Sequence, residues 1–181
     1  MSRIRITGGA WRSRLVKVAA SVEGLRPTPD RVRVTLFNWL GQDLSGLSCL
    51  DLFAGSGVLG FEAASRGAAM ATLVEQDQSA FAALRQNAQA LAPLGSEHLE
   101  LIRMDAVKFA AASKRRYDLV FLDPPYRQGW IERIEPLLPI ITNPGARLYI
   151  EAEHAVEALG GWHNIRRGRA GQVFYQLLEQ A

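Results

Sequence analysis

The chain is poor in the residues that build covalent staples and metal sites. It has one cysteine and three histidines in 181 residues. A lone Cys49 excludes a disulfide framework within the chain and fits a reducing compartment. It reads as a small buried residue in the apolar approach to a glycine loop. His98, His154 and His163 are dispersed and match no zinc-ligand spacing, so no metal is expected. No apolar run is long enough to cross a bilayer, and the basic start carries no apolar leader core. A cytoplasmic protein away from membranes is expected. No internal repeat or low-complexity tract is present.

What is present is a 48% hydrophobic chain of a length that suits one main domain. Its net charge of +3 is unevenly spread. Residues 1–40 hold eight basic and two acidic residues, a net of +6, which leaves −3 for the remainder. A localised positive field is what a polyanion would find. Ile4, Ile6, Trp11, Leu15, Val16 and Val18 alternate in part with basic residues around Gly8-Gly9. That pattern predicts a small basic β-hairpin extension over residues 1–24, preceding a main domain over 25–181. Trp11 is read as an anchor of this appendage. Pro27 and Pro29 stiffen the link, and Asp30 is expected to cap a helix bearing Val34, Phe37 and Leu40.

After Gly46 strands and helices alternate. Strands are expected at 47–53, 70–74, 97–102, 117–122 and 147–150, with helices between them, one of them at 78–91. A helical stretch over 131–141 should be kinked or split by Pro136 and Pro139. A terminal hairpin at 162–178 is expected to turn at Gly168–Gly171. Such alternation implies right-handed crossovers and a mainly parallel sheet covered on both faces.

Two motifs carry chemistry. Gly55, Gly57 and Gly60 form GxGxxG after a strand and before a helix, where glycines let a ligand approach the backbone. Glu75 ends the next strand and is placed to accept from a ribose diol. Asp105 follows the third strand and can accept from an adenine amine, flanked by Met104 or Ala106. An NAD-type site also uses such a loop and acid. Asp51 favours the cationic part of S-adenosylmethionine instead, since a carboxylate is unhelpful beside a pyrophosphate. The second motif is Asp123-Pro124-Pro125-Tyr126 after an apolar strand. Asp123 and the Pro124 carbonyl can orient a planar amine, the prolines restrict the loop, and Tyr126 can stack on a base. A base inside a helix cannot reach the methyl group, so the target must be unpaired or flipped.

These motifs, with Ile6-Thr7-Gly8-Gly9-Ala10-Trp11-Arg12, the stretch Leu25 to Arg33, Tyr149-Ile150-Glu151-Ala152-Glu153 and Gly171-Gln172-Val173-Phe174-Tyr175, resemble the bacterial 16S rRNA guanine-N2 methyltransferase family. That family lies within the Rossmann-like class I methyltransferases, and the likeness covers nearly the whole chain. The resemblance implies an α/β fold with a mainly parallel seven-stranded sheet, a terminal antiparallel hairpin and S-adenosylmethionine as cofactor. It implies methyl transfer to N2 of one guanine in 16S rRNA, on an assembling small ribosomal subunit with its ribosomal proteins. A monomer is expected. The transfer centre would be Asp123, Pro124, Pro125 and Tyr126. The cofactor would meet Thr28, Asp51, Phe53, Ala54, Gly55, Ser56, Gly57, Glu75, Gln76, Asp105, Ala106 and Asp123. RNA contacts are expected at Arg3, Arg5, Arg12, Arg14, Lys17, Arg26, Arg31, Arg33 and Arg169. Ser13 stands where the family commonly has glycine, and Val34 where an acid is expected. An adenine-N6 methyltransferase and a non-catalytic RNA-binding assembly factor are the alternative readings.

Overall fold

The structure is a computed structural model that describes residues 2–19 and 27–181. The expected boundary between residues 24 and 25, with Leu25 and Arg26, lies outside the described residues. Strands β1 (Arg3–Arg5) and β2 (Leu15–Lys17) pair antiparallel, and Ile4 faces Val16 across the register. The hairpin forms around Gly8-Gly9, as expected, though its strands are short. Residues 6–14 form a longer connection in which Ser13 takes a φ of 71°, a left-handed conformation that suits the glycine it replaces.

Helix α1 (Asp30–Leu40) follows. Then come β3 (Ser48–Asp51), α2 (Val58–Ser65), β4 (Met70–Glu75), α3 (Gln78–Leu91), β5 (Leu99–Arg103), α4 (Ala106–Ala112) and β6 (Tyr117–Leu122). Next are α5 (Trp130–Ile134), a 3₁₀ turn (Glu135–Leu137) and α6 (Leu138–Ile141), so the two prolines split that helix as expected. The chain closes with β7 (Thr142–Ala152), β8 (Ala158–Leu159), β9 (Trp162–Ala170) and β10 (Val173–Gln180).

The main sheet has the order β5-β4-β3-β6-β7-β10-β9-β8. The first five are parallel, and β10, β9 and β8 add antiparallel. Seven strands carry the fold, as expected, and the two-residue β8 extends the edge to eight. The terminal hairpin turns at Gly171-Gln172 rather than at Gly168–Gly171, because Gly168 remains paired with Tyr175.

The central strands are apolar in runs because both faces are covered. In β6, Val120 and Leu122 pack with α4, α5 and α6, while Leu119 and Phe121 face Leu36 and Phe37 of α1. Cys49 lies in that second layer, 1% exposed, and burial pushes its thiol up to about 12, as suits an inert core residue. A third cluster joins Ile6 and Val16 to Phe61, Leu73 and Leu84, so the hairpin packs on the outer faces of α2 and α3. Backbone bonds hold it there: Lys17 N–H donates to Asn87 Oδ1 at 2.9 Å, and Ala10 N–H donates to the Ser65 carbonyl at 2.7 Å. Among the described residues no helix is long and apolar enough to cross a membrane.

The order of β3 between β4 and β6 places the topological switch point at the carboxyl ends of β3 and β6. In such sheets a ligand crevice opens there. Both sequence motifs sit on that edge.

Candidate active site

Strand β3 ends at Asp51 because the chain must then turn tightly into α2. Gly57 has a φ of 83°, and a side chain on it would run into Leu84 and Phe61. A methyl group on Gly60 would lie 2.5–2.8 Å from Leu73 carbon atoms, so this glycine serves close packing of α2 on β4. The Gly60 N–H also donates to Asp51 Oδ2 at 2.9 Å. Of the three motif glycines, only Gly55 lines the recess described next. Gly57, expected at the cofactor, is a packing and turn residue.

That recess is walled by Thr28, Asp51, Phe53, Ala54, Gly55, Ser56 and Asp123, together with Pro27, Val58 and Leu59. A second recess lies on the other side of Phe53 and is lined by Glu75, Gln76, Met104, Ala106 and Trp130. Phe53 and the Trp130 ring meet edge to face at 5.4 Å. Glu75 braces the loop between the recesses, since its Oε2 accepts from Gly55 N–H at 2.9 Å and its Oε1 from Asp77 N–H at 2.8 Å. Asp105 is absent from either wall and instead caps α4, accepting from Lys108 N–H at 3.0 Å.

Beyond the Asp123–Tyr126 turn a cavity of about 150 Å³ is lined by Pro124, Pro125, Tyr126, Trp130, Glu151 and Glu153, among others. Tyr126 is 37% exposed. Arg127, next in the chain, has a φ of 61° and pairs with Glu153 at 3.6 Å. Trp130 and Glu151 were not expected at the site. Their sequence signals were a tryptophan in a polar stretch and, for Glu151, an acid near the end of an apolar strand within one of the family-like stretches.

The electrostatics of this edge are unusual. Asp51 is 2% exposed, and its Oδ1 is the one buried side-chain polar atom without a partner among the described residues. Burial raises its carboxyl to about 7, against the Gly60 hydrogen bond and with help from Glu75 and Glu151. Burial also lifts Asp123 well above the usual carboxylate range, with the Glu151 and Asp51 charges adding. Glu151 is raised by burial against hydrogen bonds from Thr28, Tyr149 and Asp123. Such a crevice is short of positive charge. An ammonium and a sulfonium would fit it, whereas a pyrophosphate would add to the repulsion. No three Asp, Glu, His or Cys side chains among the described residues converge to hold a metal ion.

The expected RNA contacts divide. Arg3, Arg5, Arg12, Arg14, Lys17, Arg31 and Arg169 are exposed. Arg14 is also tied to α3 through the Ala90 carbonyl at 2.6 Å, and Arg169 lies over the Phe174 ring. Arg33 is a correction. It is 0% exposed and donates to Glu62 Oε1 at 2.6 Å and to the Arg5 carbonyl at 2.7 Å. Asp30 does not cap α1 either; it is the first helical residue and pairs with Arg33.

Comparison with known proteins accords with this geometry. The model of a family described as conserved hypothetical protein 95 matches residues 4–179. Ribosomal RNA small subunit methyltransferase D of Escherichia coli (strain K12) is 40% identical over 186 residues, spanning 98% of this chain and 90% of that protein. Its namesake in Haemophilus influenzae is 39% identical, with 97% and 93% covered. Among solved structures, the putative methyltransferase yhhF from Escherichia coli matches with a TM-score of 0.85 at 41% identity, covering 99% of this chain and 98% of that one. An RNA methyltransferase from Salinibacter ruber, solved in complex with S-adenosyl-L-homocysteine, shares the fold at 17% identity and a TM-score of 0.66, covering 86% and 94%.

Proposed function

The chain belongs to the family described as conserved hypothetical protein 95, and we propose that it transfers a methyl group from S-adenosylmethionine to N2 of one guanine in 16S rRNA. The observation that carries this reading is the position of one turn. Asp123 walls the acid-lined recess that holds the partnerless Asp51 oxygen, and Pro124 to Tyr126 wall the adjoining cavity. A relative named for small-subunit rRNA methylation along nearly its whole length supports the substrate class.

Thr28, Asp51, Phe53 to Ser56 and Asp123 would hold the amino-acid part of the cofactor, and Glu75, Gln76 and Ala106 the nucleoside part. Bound there, the cofactor supplies an electrophilic methyl carbon on a positively charged sulfur. The protein's task is to present a poor nucleophile to it. An exocyclic amine has its lone pair delocalised into the ring. Asp123 and the Pro124 carbonyl accept its two N–H bonds and favour localisation of that pair as the new bond forms. Pro124 and Pro125 hold those acceptors in place. Tyr126 offers a face for base stacking, a contact of about 1–3 kcal/mol in single-stranded recognition. Guanine also presents an N1–H donor beside N2, and the Glu153 carboxylate in the cavity wall is an acceptor for it. Adenine presents an acceptor at N1 and gains nothing from it. Exposed Arg3, Arg12, Lys17 and Arg31 contact phosphates and position the folded RNA of an assembling small subunit.

The test is incubation with a radiolabelled methyl donor on undermethylated small subunits and on naked rRNA, followed by nucleoside analysis. N2-methylguanosine that disappears with Asp123→Ala is expected. N6-methyladenosine in its place, or RNA binding with no transfer, overturns the reading.

A further inference from the structure

The N-terminal hairpin meets the body of the protein through two kinds of contact. One kind leads only to α2: Ser65 Oγ accepts from Trp11 N–H at 2.9 Å and donates to the Gly8 carbonyl at 2.6 Å. The other kind runs on to the recess walled by Thr28 and Ser56. Asn87 of α3 is buried and grips β2 through both main-chain groups of Lys17. Its Oδ1 accepts from the Lys17 N–H and its Nδ2 donates to the Lys17 carbonyl, both at 2.9 Å. The same Nδ2 donates to the Ser56 carbonyl at 3.4 Å. Arg33 of α1 makes the matching link for β1. Its Nη1 donates to the Arg5 carbonyl at 2.7 Å, and its Nε to the Thr28 carbonyl at 3.1 Å. Each strand of the hairpin is therefore tied by one buried side chain to one wall residue of the recess. Neither Arg33 nor Asn87 lines that recess itself.

We propose that Arg33 and Asn87 are positioning residues that link the seating of the hairpin to the cofactor recess. The seated hairpin fixes both side chains, and they hold the Thr28 and Ser56 backbones where the cofactor needs them. This rests on the methyltransferase reading above, which puts the cofactor in that recess and RNA on the hairpin. A guanidinium fork and a carboxamide can each bridge two partners, because their donors point in fixed and different directions. Lifting the hairpin takes away the Arg5 carbonyl and both Lys17 groups. Buried donors and acceptors are costly to leave unmade, so the two side chains turn to other partners and release Thr28 and Ser56. The cofactor therefore binds the seated form more tightly. By linkage, a bound cofactor holds the hairpin down by the same factor. The methyl donor is thus held best in a molecule whose RNA-binding surface is in place.

Amide hydrogen exchange of the whole chain, with and without saturating S-adenosylhomocysteine, tests the link. The Ile6 and Val18 amides donate across the hairpin to the Arg14 and Ser2 carbonyls, both at 2.9 Å, and belong to neither wall of the recess. Their exchange should slow about tenfold when the site fills, a common size of coupling between sites. In Asn87→Ala that gain should shrink to about threefold or less. Arg33→Lys should do the same, because an ammonium keeps the charge beside Glu62 but cannot span both carbonyls. Asn87→Ala decides the matter without disturbing the Glu62 network. Ser65→Ala is the contrast: it removes two seating bonds that do not lead to the recess, so protection without ligand falls while the tenfold gain persists. A merely structural role would lower protection in every variant and leave the gain untouched. The proposal fails if the parent's hairpin amides ignore the bound ligand, if Asn87→Ala keeps the full gain, or if Ser65→Ala loses it as well. A parent that shows the gain but forms no N2-methylguanosine would sink the functional reading and leave the link standing. Hairpin amides indifferent to ligand in a protein that does form N2-methylguanosine would do the reverse.

Discussion

In the proposed cofactor site, the partnerless oxygen of Asp51 should make cofactor affinity depend on pH. In the free protein burial raises this carboxyl to about 7, so at pH 6 roughly nine-tenths of it is protonated. A cation held beside it favours the ionised form, and binding below pH 7 therefore expels a proton. Binding weakens about fivefold from pH 7 to pH 6 and approaches tenfold per unit below that, or about 50-fold between pH 7 and pH 5. On the alkaline side the ligand's own α-amino group loses its proton near about 8. Affinity should thus be greatest between about pH 7 and 8. Titration calorimetry at pH 6 in two buffers of unlike ionisation enthalpy should report close to one proton released per cofactor bound. Asp51→Asn keeps an acceptor for the Gly60 N–H but removes the charge. A hydrogen bond to a charged group contributes about 1.5–3 kcal/mol, so affinity at pH 7.5 should fall roughly 10- to 100-fold and the acid limb should flatten. A dissociation constant that is flat from pH 5 to 7, or a variant with the parent's profile, refutes the argument.

Three further outcomes follow from other parts of the molecule. Glu62 is 0% exposed and lies between the buried guanidiniums of Arg33 and Arg66, while also accepting from Thr7 N–H at 2.8 Å. Glu62→Gln should therefore lower unfolding free energy by about 3–5 kcal/mol in denaturant titration; parent-like stability would contradict this. Gly60→Ala drives a methyl group into Leu73 and should destabilise by about 1–3 kcal/mol, so an unchanged melting temperature would count against the packing role. Replacing Arg3, Arg12 and Lys17 together by glutamine should leave stability intact and reduce the salt dependence of RNA affinity by a slope of about 2–3. An unchanged slope would remove the N-terminal hairpin from the RNA surface.

The legible parts of the fold were those written in short-range chemistry. Helix α3 begins where Asp77 accepts from Ala80 N–H at 2.8 Å, and an acid at that position is a start signal any sequence displays. Strand β6 was legible because all six of its residues lie among apolar layers or pair across the sheet, with Asp118 the one polar interruption. The glycine loop and the Asp123 turn were legible as motifs, yet the tasks of Gly57 and Asp105 were not, since each depends on what packs against it. Arg31 and Arg33 show the limit most clearly. Two residues apart on a helix are about 200° apart around its axis, so one guanidinium meets solvent and the other is buried against Glu62. A basic run states that charge is present and leaves its direction to helix phase. Glu62 is 29 residues away from Arg33, and Glu151 is 123 residues from Thr28. No local pattern pairs residues at those separations.

The same three carboxyls that suit a cation weaken the protein without one. Asp51 is raised from its ordinary 3.8 to about 7, and Asp123 and Glu151 are raised in the same direction. A group whose folded value lies above its unfolded value favours folding fully only below about pH 4, and that contribution is lost as pH rises through the folded value. From pH 5 to 7 the crevice therefore opposes folding more strongly, the reverse of carboxylates held in salt bridges. A bound cation removes this penalty. At fixed cofactor well above its dissociation constant, a gain of about 50-fold in affinity between pH 5 and 7 widens the stability gap between bound and free protein by about 2.3 kcal/mol. Melting curves with and without cofactor should diverge by that much across the interval. A gap of constant width would mean that the crevice carboxyls keep the same charge whether or not the site is filled.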